Sequence, residues 1–264
     1  MTTPRSAVSA PVADYWSWPA PPGTVALEEG TIHTFAFTVD LPAAERADLE
    51  LLLSQPEIAR ADRFHFARDR GRYITARGRL RQLVGHHADR APATLEFEEG
   101  PFGKPALSLG QGNDRLRFNL SRSDGVGVVA LGLDGELGVD VEQLRPFADA
   151  LSIAERMFSG DERRVLRALP DGKRAPAFFD YWIRKEAVVK STGRGLSTPL
   201  AGFTLSPEQG DDAERVSLEC EGRVVARWVR RLPAPRAGFV AAVAADGSPG
   251  SVCCWTWPSC QIAS

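Results

Sequence analysis

Hydrophobic and polar positions along the chain switch repeatedly between a period of two and a period near 3.6. TIHTFAFTVDL (31–41) alternates and predicts a strand. IARADRFHFARDRGRYITARGRLRQLVG (58–85) has Tyr73, Ala76, Leu80 and Leu83 or Val84 about one turn apart, which predicts one helix ending at Gly85 as a C′ residue. LEFEEGPFGKPAL (95–107) reads as a strand and turn. LRFNLSRSDGVGVVALGL (116–133) reads as two strands about a Ser/Asp/Gly turn. Residues 1–30, rich in Pro, Ala and Thr, form an irregular arm whose Trp16 and Trp18 are expected to pack on the body.

After the turn-like LDGEL (133–137) the pattern starts again. GVDVEQL is a short alternating strand, SIAERMFSGDERRVLRAL is helical, and FFDYWIRKEAVVKSTG is helical and more apolar. GFTL, VSLEC, RVVARWV and AGFVAAVAA then supply strands. YITARGRLRQL rhymes with YWIRKEAVVK, and DGVGVVALGL with AGFVAAVAAD. Such self-similarity predicts two copies of one α+β unit, 31–135 and 136–264, each a helix packed on an antiparallel sheet.

Composition narrows the function classes. Across 264 residues the chain is 43% hydrophobic and 25% charged with a net charge of −2, which argues against wrapping nucleic acid or coating a membrane. No apolar run approaches a membrane span and the first residues lack a secretory pattern, so the expected compartment is the cytoplasm. Cys220, Cys253, Cys254 and Cys260 lack C-x-x-C spacing and are expected to be small buried or tail thiols rather than zinc ligands. His86 and His87 follow the expected helix end, where they favour the helix dipole, and no histidine is given a catalytic role.

The candidate chemistry lies in carboxylates. In GVDVE (138–142) a strand turns Asp140 and Glu142 to one face and Val139 and Val141 to the core. In WIRKEAVVKSTGRG (182–195) Trp182, Glu186 and Lys190 share one helical stripe, flanked by Lys185 and Val189. A surface Glu–Lys pair would explain neither the Trp beneath it nor the glycines after it. If the stripe faces the strand, Asp140, Glu142 and Glu186 meet, and three oxygen ligands without His or Cys suit Mg²⁺ with phosphate. Cations are at hand: eight arginines stand between 60 and 81 against Asp62 and Asp69. Guanidinium forks bind phosphate in two-point geometry, and the rest of the run is expected to face solvent. GKP (103–105) puts Lys104 in a tight turn, and SRSDG (121–125) offers hydroxyls, a guanidinium and turn amides.

FNLSRSDG, GVDVE and WIRKEAVVK with GRGLSTPL, in this order and spacing, resemble the signatures of Sfp-type 4′-phosphopantetheinyl transferases, and GKP and ARADRF fit the same pattern. The resemblance runs from about residue 31 to 245. It implies a pseudo-twofold α+β fold with coenzyme A in the cleft between the halves. It implies Asp140, Glu142 and Glu186 as Mg²⁺ ligands, with Mn²⁺ as the other candidate ion. It places Arg60 at the coenzyme A 3′-phosphate, Lys104 and Pro105 of GKP with Ser121 and Arg122 at the nucleotide and phosphates, and Lys190 near the pyrophosphate. Arg122 departs from the family, which usually has His there; it can bind phosphate but offers no reversible proton.

The implied reaction moves the phosphopantetheine arm of coenzyme A to a serine hydroxyl of an apo acyl or peptidyl carrier protein, releasing adenosine 3′,5′-bisphosphate. Glu186 and Lys190 are its implied catalytic pair. The surplus arginines of 60–81 are expected to attract an acidic carrier surface, and two fused units make a monomer the expected state. The alternative is a non-catalytic coenzyme A or carrier-binding relative, which Arg122 alone favours.

Overall fold

The computed structural model of the chain describes residues 16–207 and 213–257. Its elements, in order, are β1 (Thr31–Thr38), α1 (Ala43–Glu50), α2 (Gln55–Ala61), α3 (Ala67–Ala88), β2 (Phe97–Glu99), β3 (Pro105–Leu107), β4 (Leu116–Ser123), β5 (Val126–Leu133), β6 (Leu137–Gln143), α4 (Ala150–Met157), α5 (Gly160–Ala168), α6 (Asp171–Thr192), β7 (Glu214–Cys220), β8 (Arg223–Leu232), β9 (Phe239–Ala245) and β10 (Ser251–Thr256).

The strands form two four-stranded sheets and a small β2–β3 hairpin. The first sheet runs β10-β1-β5-β4 and the second β6-β9-β8-β7. A three-strand order recurs in the two sheets: β1-β5-β4 in the first is repeated as β6-β9-β8 in the second. The α+β repeat read from the sequence is therefore present in the strand order.

Alternation decides the layering. Ile32, Ala36, Val128 and Ala130 of one sheet meet Val139, Val141, Ala241 and Val243 of the other in a shared apolar interior, which Trp18 of the arm enters from the edge. The opposite faces bury helices: Phe35, Phe37, Val129 and Leu131 pack with Ala76, Leu80 and Leu83 of α3, while Ala242, Ala244 and Val216 pack with Ile183, Ala187 and Val188 of α6. Full burial of each such large apolar side chain contributes about 1.5–3 kcal/mol. The result is helix, sheet, sheet, helix, with the edge strands β4 and β6 side by side.

Several expectations are corrected. The 58–85 segment is two helices: α2 starts at the Ser54–Glu57 capping box and closes at Ala61, and the turn that follows brings Phe64 back against Tyr73. Its second helix passes Gly85 and ends only at Ala88, with Asp89 left-handed (φ 52°), so His86 and His87 lie inside the helix. Gly85 instead permits close packing, because a Cβ there would stand 2.7 Å from the Arg90 carbonyl oxygen. SIAERMFSGDERRVLRAL also breaks, at Ser159, whose backbone N–H donates to Glu162 and whose hydroxyl caps the next turn.

GFTL (202–205) is not a strand: Gly202 closes the 3₁₀ turn Leu200–Gly202, and Lys185 takes the carbonyls of Leu200 and Phe203. The C-terminal strand β10, which the sequence division places with 136–264, pairs in parallel with β1 of the first sheet. It carries Cys253 and Cys254, which are free thiols like Cys220. Cys260 and residues 1–15 lie outside the described residues; Trp16 bridges to Arg236 and Trp18 is buried, its indole N–H donating to the Pro233 carbonyl.

Candidate functional site

The site begins at a glycine. Gly138 on β6 faces α6 so closely that a Cβ would lie 2.2 Å from the Ala187 carbonyl oxygen and 2.4 Å from the Ser191 amide nitrogen. No other residue admits this approach. It sets β6 directly against α6, so the polar residues on that strand face meet the polar stripe of the helix.

As alternation predicts, Val139 and Val141 enter the core while Asp140 turns the other way; yet Asp140 is itself only 4% exposed. Its Oδ1 accepts a hydrogen bond from Ser121 Oγ at 2.7 Å and from Lys190 Nζ at 2.6 Å, and Lys190 also donates to Ser121 Oγ at 2.9 Å. Strand β4, strand β6 and helix α6 thus meet at one carboxylate. Its other oxygen, Oδ2, is buried with no hydrogen-bond partner among the described residues, an expensive arrangement for an anionic atom.

Glu142, two residues on, accepts from Ser123 Oγ at 2.7 Å. Burial first, and then the Asp140 charge, push its pKa up against the pull of the Ser123 hydrogen bond. Glu186 behaves alike: burial and then Asp140 raise its pKa, Lys190 opposes, and Glu142 adds a further push. The Asp140 charge thus acts on both Glu142 and Glu186. The three carboxylates do not close into a ready ligand set: among the described residues no three His, Cys, Asp or Glu side chains are grouped to hold a metal ion. The orphaned Asp140 Oδ2 and the two carboxylates that resist ionisation fit a hard cation nonetheless, since a positive ion would relieve all three.

The expected phosphate-binding groups fall at two places. Arg60 stands over the Tyr73 ring (6.0 Å) and Arg122 over the Phe64 ring (6.0 Å), and those two rings touch with centroids 5.4 Å apart. Arg60 also pairs with Glu99 at 3.3 Å beside a cavity of about 510 Å³. Lys104 is bound elsewhere, its ammonium donating to Glu136 at 2.5 Å and to the Leu137 carbonyl at 2.8 Å. Burial draws its pKa down. With Pro105, Arg117, Gly193 and Arg227 it lines a cavity of about 550 Å³ at the start of β6.

The arginine run 60–81 is not the solvent-facing basic face expected of it. Arg70 pairs with Glu50 and Asp62, Arg72 with Asp40, and both Arg77 and Arg81 with the buried Glu57. Arg79 and Arg81 are themselves buried.

The charges of the α6 stripe separate into two jobs. Lys185 is wholly buried, ion-paired to Glu162 at 2.9 Å, and donates to the carbonyls of Leu200 and Phe203, both at 2.7 Å. Burial draws its pKa down to about 8, with Glu162 resisting. It fastens the 200–205 segment, whose Leu205 N–H Glu162 also accepts. Trp182 stacks on Phe178 at 5.6 Å. Glu186 and Lys190 alone reach the Asp140 side.

The sequence reading gave Glu162 and Asn119 no role and took Ser123 only as one of the hydroxyls of SRSDG. Glu162 is the acid of an S-x-x-E capping box, a signal that was present in SGDE. Ser123 and Asn119 continue the alternation of Ser121 along β4, so their common face was legible once the strand was assigned.

Comparison with known proteins bears on this geometry. The sequence model described as the 4′-phosphopantetheinyl transferase superfamily matches residues 136–244, the span from β6 through β9. The 4′-phosphopantetheinyl transferase HetI of Nostoc sp. is 36% identical over 181 residues, covering 69% of this chain and 76% of its own. The 4′-phosphopantetheinyl transferase Sfp of Bacillus subtilis is 25% identical over 187 residues, covering 70% and 80%. The 4′-phosphopantetheinyl transferase AcpT of Salmonella typhimurium is 39% identical over 98 residues, covering 37% and 50%.

Proposed function

The chain belongs to the 4′-phosphopantetheinyl transferase superfamily, and on that premise we propose that it transfers the 4′-phosphopantetheine group of coenzyme A to a serine hydroxyl of an apo acyl or peptidyl carrier protein, with Mg²⁺. The observation that carries the reading is the junction at Asp140, where Ser121, Lys190 and an unclaimed buried carboxylate oxygen converge.

In this reading Asp140, Glu142 and Glu186 hold the divalent ion. When bound, that ion neutralises the diphosphate and stabilises charge on the departing phosphate oxygen. Lys190 serves the same diphosphate from the helix side, its ammonium already fixed by Ser121, Asp140 and the Val139 carbonyl and so oriented before substrate arrives. Arg60 and Arg122, backed by Tyr73 and Phe64, take the 3′-phosphate and neighbouring phosphate charge of coenzyme A. Lys104 and Pro105 form the wall beside the nucleotide. Lys104 acts there mainly by fastening the β2–β3 turn to β6, because its ammonium is engaged by Glu136 and Leu137.

Glu186 accepts the proton of the carrier serine. Its raised pKa makes it a stronger base than an ordinary carboxylate, and no hydrogen bond engages it among the described residues. The serine oxygen forms its bond to the β-phosphorus as the bond from that phosphorus to the bridging oxygen breaks. Adenosine 3′,5′-bisphosphate leaves, its new charge met by Lys190. The two fused α+β units supply all these groups from one chain, which supports a monomer. No described helix is long and apolar enough to cross a membrane.

The test is incubation with coenzyme A, Mg²⁺ and a panel of apo carriers, read by intact mass. A gain of about 340 Da on the carrier serine is expected, the mass of one group attached through its phosphate. Binding of coenzyme A without any mass gain would instead favour the non-catalytic relative.

A further inference from the structure

Strands β4 and β6 are the facing edges of two different sheets, and they do not pair through their backbones. Edge strands leave N–H groups unanswered. Here side chains answer them. Asn119 Oδ1 accepts the Val139 N–H at 2.9 Å, and Ser123 Oγ accepts the Gln143 N–H at 3.3 Å. Between them Ser121 Oγ donates to Asp140 Oδ1, and Ser123 Oγ also donates to Glu142 Oε2. The three residues sit at every second position of β4 and so share one strand face.

The pattern of what is left over is informative. Each of the two acids has one oxygen claimed by a ladder serine. The second oxygen of each, Asp140 Oδ2 and Glu142 Oε1, receives no hydrogen bond among the described residues. A carboxylate held by one oxygen cannot rotate freely, and the other oxygen is presented in a fixed direction. Outer partners of this kind orient metal-binding groups and typically alter affinity or activity 10- to 100-fold when removed.

We infer that Asn119, Ser121 and Ser123 form a positioning ladder that fixes the register of β6 against β4 and presents one free oxygen from each of Asp140 and Glu142 to a shared cation. The inference rests on the transferase reading of the acids and adds to it a job for Asn119 and Ser123, whose side chains need not touch substrate. It also makes Ser121 a spacer for Asp140 in addition to its place beside Lys190. The ladder belongs to the first half of the chain and the acids to the second, so the ion site depends on how the two halves abut.

Ser123, half-buried and bonded to Glu142, is the cleanest probe. Mn²⁺ binding, followed by the loss of the free-ion electron paramagnetic resonance signal with and without coenzyme A, is measured for wild type, Ser123→Ala, Ser123→Thr and Ser123→Val. Turnover and the KM for coenzyme A are read alongside, with thermal unfolding as the check on folding. Ser123→Ala is expected to weaken Mn²⁺ binding and lower kcat roughly 10-fold, with KM for coenzyme A moving less than about 3-fold. Thr and Val match in volume and differ in the hydroxyl, so Thr is expected to behave within about 3-fold of wild type and Val like Ala. Equal Mn²⁺ affinity in the Thr and Val variants, or an Ala variant that binds as wild type does, overturns the ladder. A wild-type protein that binds no Mn²⁺ overturns the reading of the acids themselves, and the ladder falls with it.

Discussion

Lys190 on helix α6 holds its ammonium 2.6 Å from Oδ1 of Asp140 on strand β6, fifty residues earlier in the chain. This contact joins the two elements that carry the acids. It also keeps a cation beside a carboxylate pair that would otherwise repel.

Lys190→Met is expected to lower kcat about 100-fold or more, the usual cost of losing a donor aimed at developing charge. Glu186→Gln is expected to lose turnover to a similar degree, while the KM for coenzyme A changes only a few-fold in each. Because Lys190 opposes the upward push on Glu186, its removal is also expected to move the acid limb of the kcat–pH profile to higher pH. Steady-state kinetics over pH check both points; near-normal turnover in either variant contradicts the assigned role.

Gly138→Ala tests the approach that creates the site. The added methyl would meet the Ala187 carbonyl oxygen and the Ser191 amide nitrogen at well under contact distance, so α6 must move off β6. Destabilisation of about 1–3 kcal/mol or more is expected from overpacking alone, with turnover falling further because Glu186 and Lys190 move with the helix. Urea unfolding and kinetics together check it. A fully stable and fully active variant would show that the close approach is dispensable.

Much of this architecture was legible in sequence, because two periodicities mark it clearly. GVDVE gave both faces of β6, and WIRKEAVVK gave the stripe that meets it. What was not legible depended on long-range partners. GFTL has strand composition but is held as a turn, since Lys185 claims the carbonyls of Leu200 and Phe203. VCCWTW lies far from TIHTFAF in sequence, and no local signal tells that they pair. Gly85 has the chemistry of a helix stop, yet its neighbour across space is the reason for it. The arginine run read as a basic face because its acids, Glu50, Glu57 and Asp40, precede it or come from other elements.

Lys185→Met separates structural from catalytic charge on α6. It leaves Glu162 fully buried without its cation and frees two carbonyls. Breaking a buried pair in this way costs about 3–5 kcal/mol. Urea unfolding at neutral pH checks this; a loss below about 1 kcal/mol would mean that the pair contributes little to the fold.

His87 gives the pH dependence of stability. Burial, and then the neighbouring His86 and His33, lower its pKa to about 4. The folded value lies below the unfolded one, so between about pH 4 and 6.5 the unfolded chain binds more protons. Stability is therefore full above pH 6.5 and is lost as pH falls toward 4. The loss at pH 5 is expected to be about 2 kcal/mol from this residue, and His87→Gln is expected to flatten that part of the profile. Denaturant unfolding of both proteins at pH 7 and pH 5 checks it.

The gathering of Asp140, Glu142 and Glu186 about one divalent ion is tested most directly by anomalous diffraction from crystals grown with Mn²⁺ and coenzyme A. A single manganese peak is expected about 2.0–2.3 Å from oxygens of all three carboxylates and of the diphosphate. A peak held by other residues, or a bound diphosphate with no ion between it and Asp140, would contradict the account.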